Sequence, residues 1–576
     1  MRIALVVAVA ASCLSSPAAA QSTPSRWGAH LDFEAKPGTK RSLGEADLFV
    51  PLWQDGRNLV FGNLRGRFDD GDGREGNLGL GLRRMVESGW NLGGYAYFDR
   101  RKSENSFYYS QATFGGEALG RDWDVRANAY LPQGERVHDL GTASTASVSA
   151  ATVVVSSVTT QERALKGFDV EAGWRVPLFA VDEPRQLRLY AGGYRFKDDV
   201  ADVSGPRVRV ELTMAQTPWL WQGAQLVASV EAQDDDVRGS QTFLSLRLRV
   251  PLGGKESPRA LNWQERRMMA PVVRDVDIVA PVVARAPVLE TATAIANGGS
   301  LVILDSGTTT GAALPGAVAA AGAGSTVVLT GTYNTTATTQ LQNGQTLMGA
   351  GALQVRTPSG HVATLTTPGA TINANIPSGQ FDKAFTVEMA TNSTLRGITV
   401  THFNTSGHGA TAVRAVGVSN VQIVGNTLSA SSSGATALLA PIAAEGIFIG
   451  AGSTNIVVSN NVISVTGTTV QNLAGINASP SGFGTVNLLN NTITVSGSGI
   501  TNAGISTAGG VPGGTIATIA GNTVSATGGT TNNRAFSVVT TAVTAGSNGN
   551  VRVAGACEFF GGTSGSIGFA DGTSCP

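Results

Sequence analysis

The sequence predicts an all-β fold, a 12-stranded antiparallel outer-membrane β-barrel followed by a right-handed parallel β-helix, on three observations. From Asp47 to Arg101, blocks of about ten residues alternate apolar and polar side chains between Asp-Gly, Gly-Asp-Gly and Ser-Gly turns, with no helix-period stripe. From Glu290 to the end only 13 of the 82 charged residues occur, while Gly, Thr, Ser, Asn, Ala and Val dominate; such a shift marks a domain boundary. Within that second part a short apolar motif centred on Asn recurs at intervals of 30 to 35 residues, the period of a solenoid.

Residues 1–20 read as a signal peptide, with Arg2, a short apolar run from Ile3 to Cys13, and an Ala18-Ala19-Ala20 cleavage site. A lipoprotein reading through Cys13 is the alternative, although Ala10 stands where a leucine is usual. After residue 20 the chain lacks the roughly eighteen consecutive apolar residues of a transmembrane helix, so any crossing falls to strands. The 41 basic and 41 acidic residues balance, and no nucleic-acid partner is expected.

Residues 21–253 supply the barrel. Twelve candidate strands start near Trp27, Gly44, Asn58, Gly76, Trp90, Ser106, Trp123, Phe168, Arg185, Arg207, Ala224 and Ser240, an even number as single-chain outer-membrane barrels require. Leu244, Leu246, Leu248 and Val250 share one face against Ser245, Arg247 and Arg249; Val170, Ala172, Trp174 and Val176 oppose Asp169, Glu171 and Arg175. Alternation does not say which face is inside. A lipid-facing apolar band is indicated by the signal peptide and by aromatics near strand ends: Trp53, Trp90, Phe98, Trp123, Tyr130, Trp219 and Trp221. Connections after the second, fourth and sixth strands are short. Those after the eighth and tenth are only moderately longer, and those after the third, fifth, seventh, ninth and eleventh, above all 132–167 with its Ser/Thr/Ala/Val-rich centre, are charged or long and are expected to be the outer loops.

An even count returns residue 253 to the side on which the barrel began. Residues 254–289, Pro-punctuated and carrying Arg266, Arg267, Arg274, Asp275 and Asp277, are expected to thread the pore and pair with charges there; an interdomain linker in water is the alternative. The segments FVPLW, GNLGLGLRR, GYAYFDRR and WDVRANAYLP between Asp47 and Pro132 resemble the β-domain of inverse autotransporters, the intimin and invasin family. That resemblance, over about residues 27–280, implies an outer-membrane lipid environment, periplasmic chaperones and the barrel-assembly machinery as partners, and a C-terminal passenger displayed outside. The chain departs from the family in having no peptidoglycan-binding module between Gln21 and Trp27 and no recognisable immunoglobulin-like passenger.

Residues 290–551 are the expected β-helix passenger. VQIVGNTLSA, IVVSNNVISV, VNLLNNTITV and IATIAGNTVSA place Asn426, Asn461, Asn491 and Asn522 in register, with Arg396 at the same phase. The asparagines are expected to stack as a structural ladder at an inward turn. STVVLTGTY, NGQTLMGAG and HVATLTTPGATINANI read as earlier coils. Residues 552–576 break the repeat and form a C-terminal cap. Cys557 and Cys575, 18 residues apart, make a disulfide the natural reading for an exported chain, worth about 3 kcal/mol; metal or free thiols are the alternatives.

No catalytic or cofactor-binding constellation is legible, and no cofactor or metal is expected. The seven acidic residues after 289 are Glu290, Asp305, Asp382, Glu388, Glu445, Glu558 and Asp571, with no close pair except Asp382 and Glu388. Glycoside hydrolysis requires two facing carboxylates. Ser406-Gly407-His408-Gly409 lacks the acidic motifs that accompany Gly-His-Gly in polygalacturonases, and His402 and His408 read as loop or corner residues. Adhesion to a glycan, another cell or another surface is the expected role. A surface-anchored polysaccharide lyase or hydrolase, or a structural surface protein without a ligand, are the rivals.

Overall fold

The computed structural model describes residues 26–215, 220, 223–252, 261–275, 277–376, 383–404, 409–433, 442–468, 471–479, 484–508 and 515–575. The signal sequence, Trp219, Trp221, Asp382, Ser406 and His408 lie outside these residues. The chain divides into two compact units, Met1–Thr142 with Thr159–Ala286, and Ala143–Val158 with Pro287–Pro576.

In the first unit twelve antiparallel strands close into a barrel: β1 (Ala29–Lys36), β2 (Leu43–Gln54), β3 (Asn58–Asp69), β4 (Arg74–Met85), β5 (Asn91–Lys102), β6 (Tyr108–Leu119), β7 (Trp123–Gln133), β10 (Lys166–Val176), β11 (Arg185–Lys197), β12 (Asp202–Ala215), β13 (Gln225–Gln233) and β14 (Gln241–Leu252). Closure is between β1 and β14, where Ala29 partners Leu252, so the barrel begins and ends at one rim. Leu64, Leu78, Leu80, Leu82, Phe114, Leu244 and Leu246 are more than half exposed, while Asp99, Asp124, Arg126, Arg188 and Arg83 are buried. The polar face therefore lies inside and the apolar face outside, the inverse of a soluble barrel. The glycines of the GNLGLGLRR segment fit this packing. A Cβ on Gly79 would stand 2.2 Å from the Tyr97 ring, and one on Gly81 would stand 2.2 Å from that of Phe61. Bare backbone thus makes room for two inward aromatics.

Two sequence expectations need correction. Tyr130 is buried and faces the lumen, not the lipid, because its hydroxyl finds the Asp169 carboxylate. Loop length also fails to separate the rims: the rim bearing Ala29 has connections of 3 to 9 residues, and the other rim has 4 to 7 apart from 134–165. That exception is itself no irregular loop. It is a hairpin of β8 (Val137–Ser149) and β9 (Thr152–Arg163), as its β-branched run favours. β9 pairs antiparallel with β15 (Val282–Ala284) through 160–162 and with β16 (Val288–Ala292) through 153–157.

The second unit is a parallel β-helix with three faces. A typical coil has strands Ser419–Val424, Thr427–Ser433 and Ile442–Ile449; the next has Thr454–Ser459, Val462–Thr468 and Asn472–Ala478. Each strand pairs in parallel with its counterpart one coil on, as Ile423 with Val458 and Leu428 with Ile463. Each ten-residue motif is therefore two strands on two faces, bent at its centre. The residues before the recurring asparagines, Gly425, Asn460, Asn490 and Gly521, all have positive φ between 54° and 67°, a conformation open mainly to Gly and Asn. The core is a continuous column of Val, Ile, Leu and Ala from Leu304 to Phe569; no single coil could bury its own apolar side. HVATLTTPGATINANI is not one coil: Val362–Thr367 folds back antiparallel on Gly351–Arg356, and only Ala370–Ala374 joins the parallel stack. Parallel pairing continues through Ala556–Phe560, and a two-residue antiparallel pair of Ile567–Gly568 with Ser574–Cys575 follows.

Candidate functional site: the barrel lumen and the segment it holds

Residues 261–284 start at the rim where β14 ends and run inside the barrel to the other rim. The short helix α1 (Trp263–Arg267) has a reciprocal cap: Glu265 N–H donates to Asn262 Oδ1 and Asn262 N–H to Glu265 Oε2, both at 2.9 Å. It is fixed at the starting rim. Trp27 Nε1 donates to the Glu265 carbonyl at 2.9 Å, Asn91 Nδ2 to that of Gln264 at 2.8 Å, and Gln264 Nε2 to that of Val86 at 3.1 Å.

Beyond α1 the lumen side chains bind mostly backbone. Arg83 Nη1 donates to the carbonyls of Met268 at 2.8 Å and Ala270 at 2.6 Å, while its Nε donates to Glu117 at 2.5 Å. Arg65 reaches the carbonyl of Val272 at 3.2 Å, Asn128 that of Val273 at 3.2 Å, and Arg101 that of Ile278. Glu75 accepts from the Ile278 amide at 2.9 Å, and the Tyr130 hydroxyl from the Asp275 amide at 2.6 Å. At the far rim Leu165 N–H donates to the Val279 carbonyl at 2.9 Å before β15 joins β9.

The charged residues of the segment have the following partners. Arg267 bonds Asp124, Arg274 bonds Asp99 at 2.7 Å, and Asp277 bonds Arg41 at 2.7 Å and Arg101 at 3.0 Å. Asp275 lies 3.9 Å from Arg207, and Arg266 reaches the Leu261 carbonyl at 3.1 Å. Buried ion pairs of this kind fix register more than they add stability, because desolvation offsets most of the attraction.

In the β-helix Asn426, Asn461, Asn491 and Asn522 are buried at the corner between the first and second faces. The amide N–H and Nδ2 of each donate to Oδ1 of the next, as Asn461 does to Asn491 at 3.1 and 2.9 Å. Each Nδ2 also donates to a carbonyl of the preceding coil, such as Val458 for Asn491 at 2.9 Å. Asn550 continues the series as a further rung. Sequence reading missed it because no apolar motif precedes it. A second, exposed series escaped notice altogether: Asn455 Nδ2 donates to Asn420 at 2.7 Å, Asn420 to Asn392 at 2.9 Å, and Asn392 to Asn343 at 3.0 Å. Arg396 joins neither series and donates to the Ala352 carbonyl at 2.7 Å. Cys557 and Cys575 are disulfide-bonded, with Cα atoms 6.0 Å apart.

The described carboxylates of the β-helix are occupied. Glu388 pairs with Arg414 at 2.9 Å, Glu558 with Arg534 at 2.6 Å and Asp305 with the Thr330 hydroxyl at 2.6 Å. Glu290 bonds Ser359, and Asp571 bonds Thr573 at 2.6 Å. Glu445 accepts from Lys383 at 3.0 Å, Asn477 at 2.8 Å and Thr411 at 3.2 Å. His402 is not at an exposed corner but inside the coil, fully buried, because Nδ1 lies 3.1 Å from both the Thr411 carbonyl and Thr386 Oγ1. Burial lowers its pKa to about 4. No group of three or more metal-ligating side chains converges among the described residues.

Residues 11–253 match the family described as inverse autotransporter, beta-domain. No curated protein matches the chain. Among solved structures, a membrane protein from a study of in-meso crystallization is similar at 15% identity over 45% of this chain and 100% of that one, with a TM-score of 0.34. The translocator domain of autotransporter NalP from Neisseria meningitidis is similar at 6% identity over 39% of this chain and 89% of that one, TM-score 0.22. The β-domain of the Bordetella autotransporter BrkA is similar at 14% over 39% and 98%, TM-score 0.21. The polar lumen and apolar exterior of the barrel agree with this match: within residues 11–253 the chain carries an inverse autotransporter β-domain of the type V secretion class, and the protein resides in the outer membrane.

Proposed function

We propose that the protein threads residues 261–284 through its own barrel and displays residues 287–576 at the cell surface as an adhesin. The observation that carries this reading is the pairing of Ala29 with Leu252 together with the path of 261–284. The barrel begins and ends at one rim, and the chain leaves by the other. With the starting rim in the periplasm, everything after Ala284 lies outside. The surface so displayed carries little charge and much Thr, Ser and Asn, which suits contact with neutral glycans or with other cells. Export without a nucleotide is driven by passenger folding beyond the membrane, each coil burying apolar surface as it adds to the stack. A polysaccharide lyase or hydrolase is disfavoured by the pairing of each described carboxylate with its own partner. Chaperones of the periplasm and the barrel-assembly machinery deliver the chain, and its surface ligand is a glycan or another cell. Protease treatment of intact cells carrying an epitope after Pro576 tests the reading. Loss of the epitope with survival of a heat-modifiable barrel is expected; protection until the outer membrane is opened would overturn surface display.

A further inference from the structure

The β8–β9 hairpin belongs by chain position to the barrel, between β7 and β10, yet its tip 143–158 lies in the second compact unit. Its composition agrees with that membership. From Leu140 to Gln161 it contains no charged residue, as is typical of the β-helix and unlike the barrel. Val153 and Val155 are fully buried, packed with Ala292, Leu301, Ile303, Val328, Met348, Val355, Ala363 and Leu365, and Ala146 and Val148 lie against the same cluster. This cluster is separate from the column that fills the rest of the helix. Along the same strand β16 is held in antiparallel register, Leu289 opposite Ser156 and Thr291 opposite Val154. The hairpin is braced by hydroxyl pairs, Ser144 with Ser157 at 2.8 Å and Thr142 with Thr159 at 2.9 Å.

A stack of parallel coils needs an atypical unit at each end, because its terminal strands offer unpaired backbone and an uncovered core. At the C-terminal end that unit is the disulfide-bonded segment. At the N-terminal end Leu301–Asp305 is the outermost strand of its sheet, and apolar side chains around it are covered by Val153 and Val155. We infer that the 143–158 hairpin tip is the N-terminal cap of the β-helix and the template on which its folding starts: the hairpin supplies a preformed strand to residues 288–292, the antiparallel strand that leads in the chain into the first coil. A paired edge and a covered apolar layer then await the first coils, removing the slow step of nucleating an isolated coil. The inference rests on the proposed threading only for its timing; the capping contact does not depend on which side of the membrane the β-helix occupies.

The test uses the full-length chain in outer membranes, with and without opening of the membrane. V153D/V155D is expected to leave the barrel heat-modifiable while protease digests the β-helix from its N-terminal end faster, on the order of tenfold or more, because local opening becomes more populated. V154D, on the opposite face of the strand, is expected to change this rate little. An unchanged rate in V153D/V155D, or equal damage from V154D, overturns the inference. Should the barrel itself be lost in the double variant, oxidative cross-linking of S156C/L289C decides: formation of the bond supports the pairing, and its absence in assembled protein overturns it. Reading the rate in opened membranes separates failure of the cap from failure of surface display.

Discussion

The barrel and the β-helix are written in the same two-residue alternation, yet one buries its polar residues and the other its apolar ones. In β4 Leu78, Leu80 and Leu82 face out and Glu75, Asn77 and Arg83 face in; in the helix strand Gly484–Leu489, Val486 and Leu488 are fully buried. The solvent outside decides. Lipid accepts leucine and leaves a lumen in which Arg, Asp and Tyr must satisfy one another, whereas water requires the leucine inside. The difference also separates two kinds of specificity. Barrel side chains hold a segment they do not cover with secondary structure, largely through its carbonyls, while the helix closes on itself and leaves its polar work to asparagine.

The sharpest break in that comparison is a carboxylate in each interior. Leu488→Asp puts an unpaired charge in the helix column and is expected to cost about 5 kcal/mol or more, unfolding the surrounding coils. Protease would then digest residues 287–576 while the barrel band stays heat-modifiable. If the β-helix stays resistant, the column from Leu304 to Phe569 is not one cooperative core. The complementary change is Arg83→Met in the lumen. It takes the Arg83 donor from Glu117, which keeps Arg126 at 3.8 Å, and removes the Arg83 bonds to the Met268 and Ala270 carbonyls, a loss of about 3 kcal/mol for a broken buried pair. The temperature at which the barrel band shifts on gels should fall, and the passenger's own proteolysis in opened membranes should not change.

Acidification is expected to act on the helix through His402. Its neutral ring is held in the folded state while the unfolded chain binds a proton near the usual pKa of 6.5. Folding stability is therefore complete above pH 6.5, declines as pH falls towards 4 and levels off below that. At 1.36 kcal/mol per unit the loss from this one group is about 3 kcal/mol. Urea midpoints followed between pH 7 and 4 should fall less in His402→Gln than in the parent chain.

Much of this architecture is legible in the sequence, and what is not has identifiable causes. All twelve barrel strands begin within five residues of the positions read from alternation and turns, because each rim is marked by Gly, Asp or a charged cluster. The inward side of Tyr130 was hidden because an aromatic at a strand end suits both lipid and a lumen carboxylate. The hairpin at 137–163 was hidden because a Ser/Thr/Ala/Val run has neither clear alternation nor turn residues, and its partner strand lies more than a hundred residues away. The recurring asparagines stood out through the apolar motifs around them. Asn550, without such a motif, and the surface series at 343, 392, 420 and 455 carried no signal stronger than an ordinary turn.

Those two asparagine series allow one residue type to be compared in two environments. Asn491→Leu removes an acceptor from the Asn461 amide and leaves the Val458 carbonyl and Asn522 Oδ1 short of a donor, all in the buried corner. A loss of about 3 kcal/mol is expected, since each stranded group retains its desolvation penalty. Asn420 makes the same side-chain links to Asn392 and Asn455, but water replaces them at little cost. What its position demands is backbone: φ is +57°, where a Cβ without a polar partner is strained. Asn420→Ala should therefore cost about 1 kcal/mol and Asn420→Gly almost nothing. Equal losses for the two variants in urea unfolding would assign the exposed series to side-chain bonding, and the contrast between the two ladders would collapse.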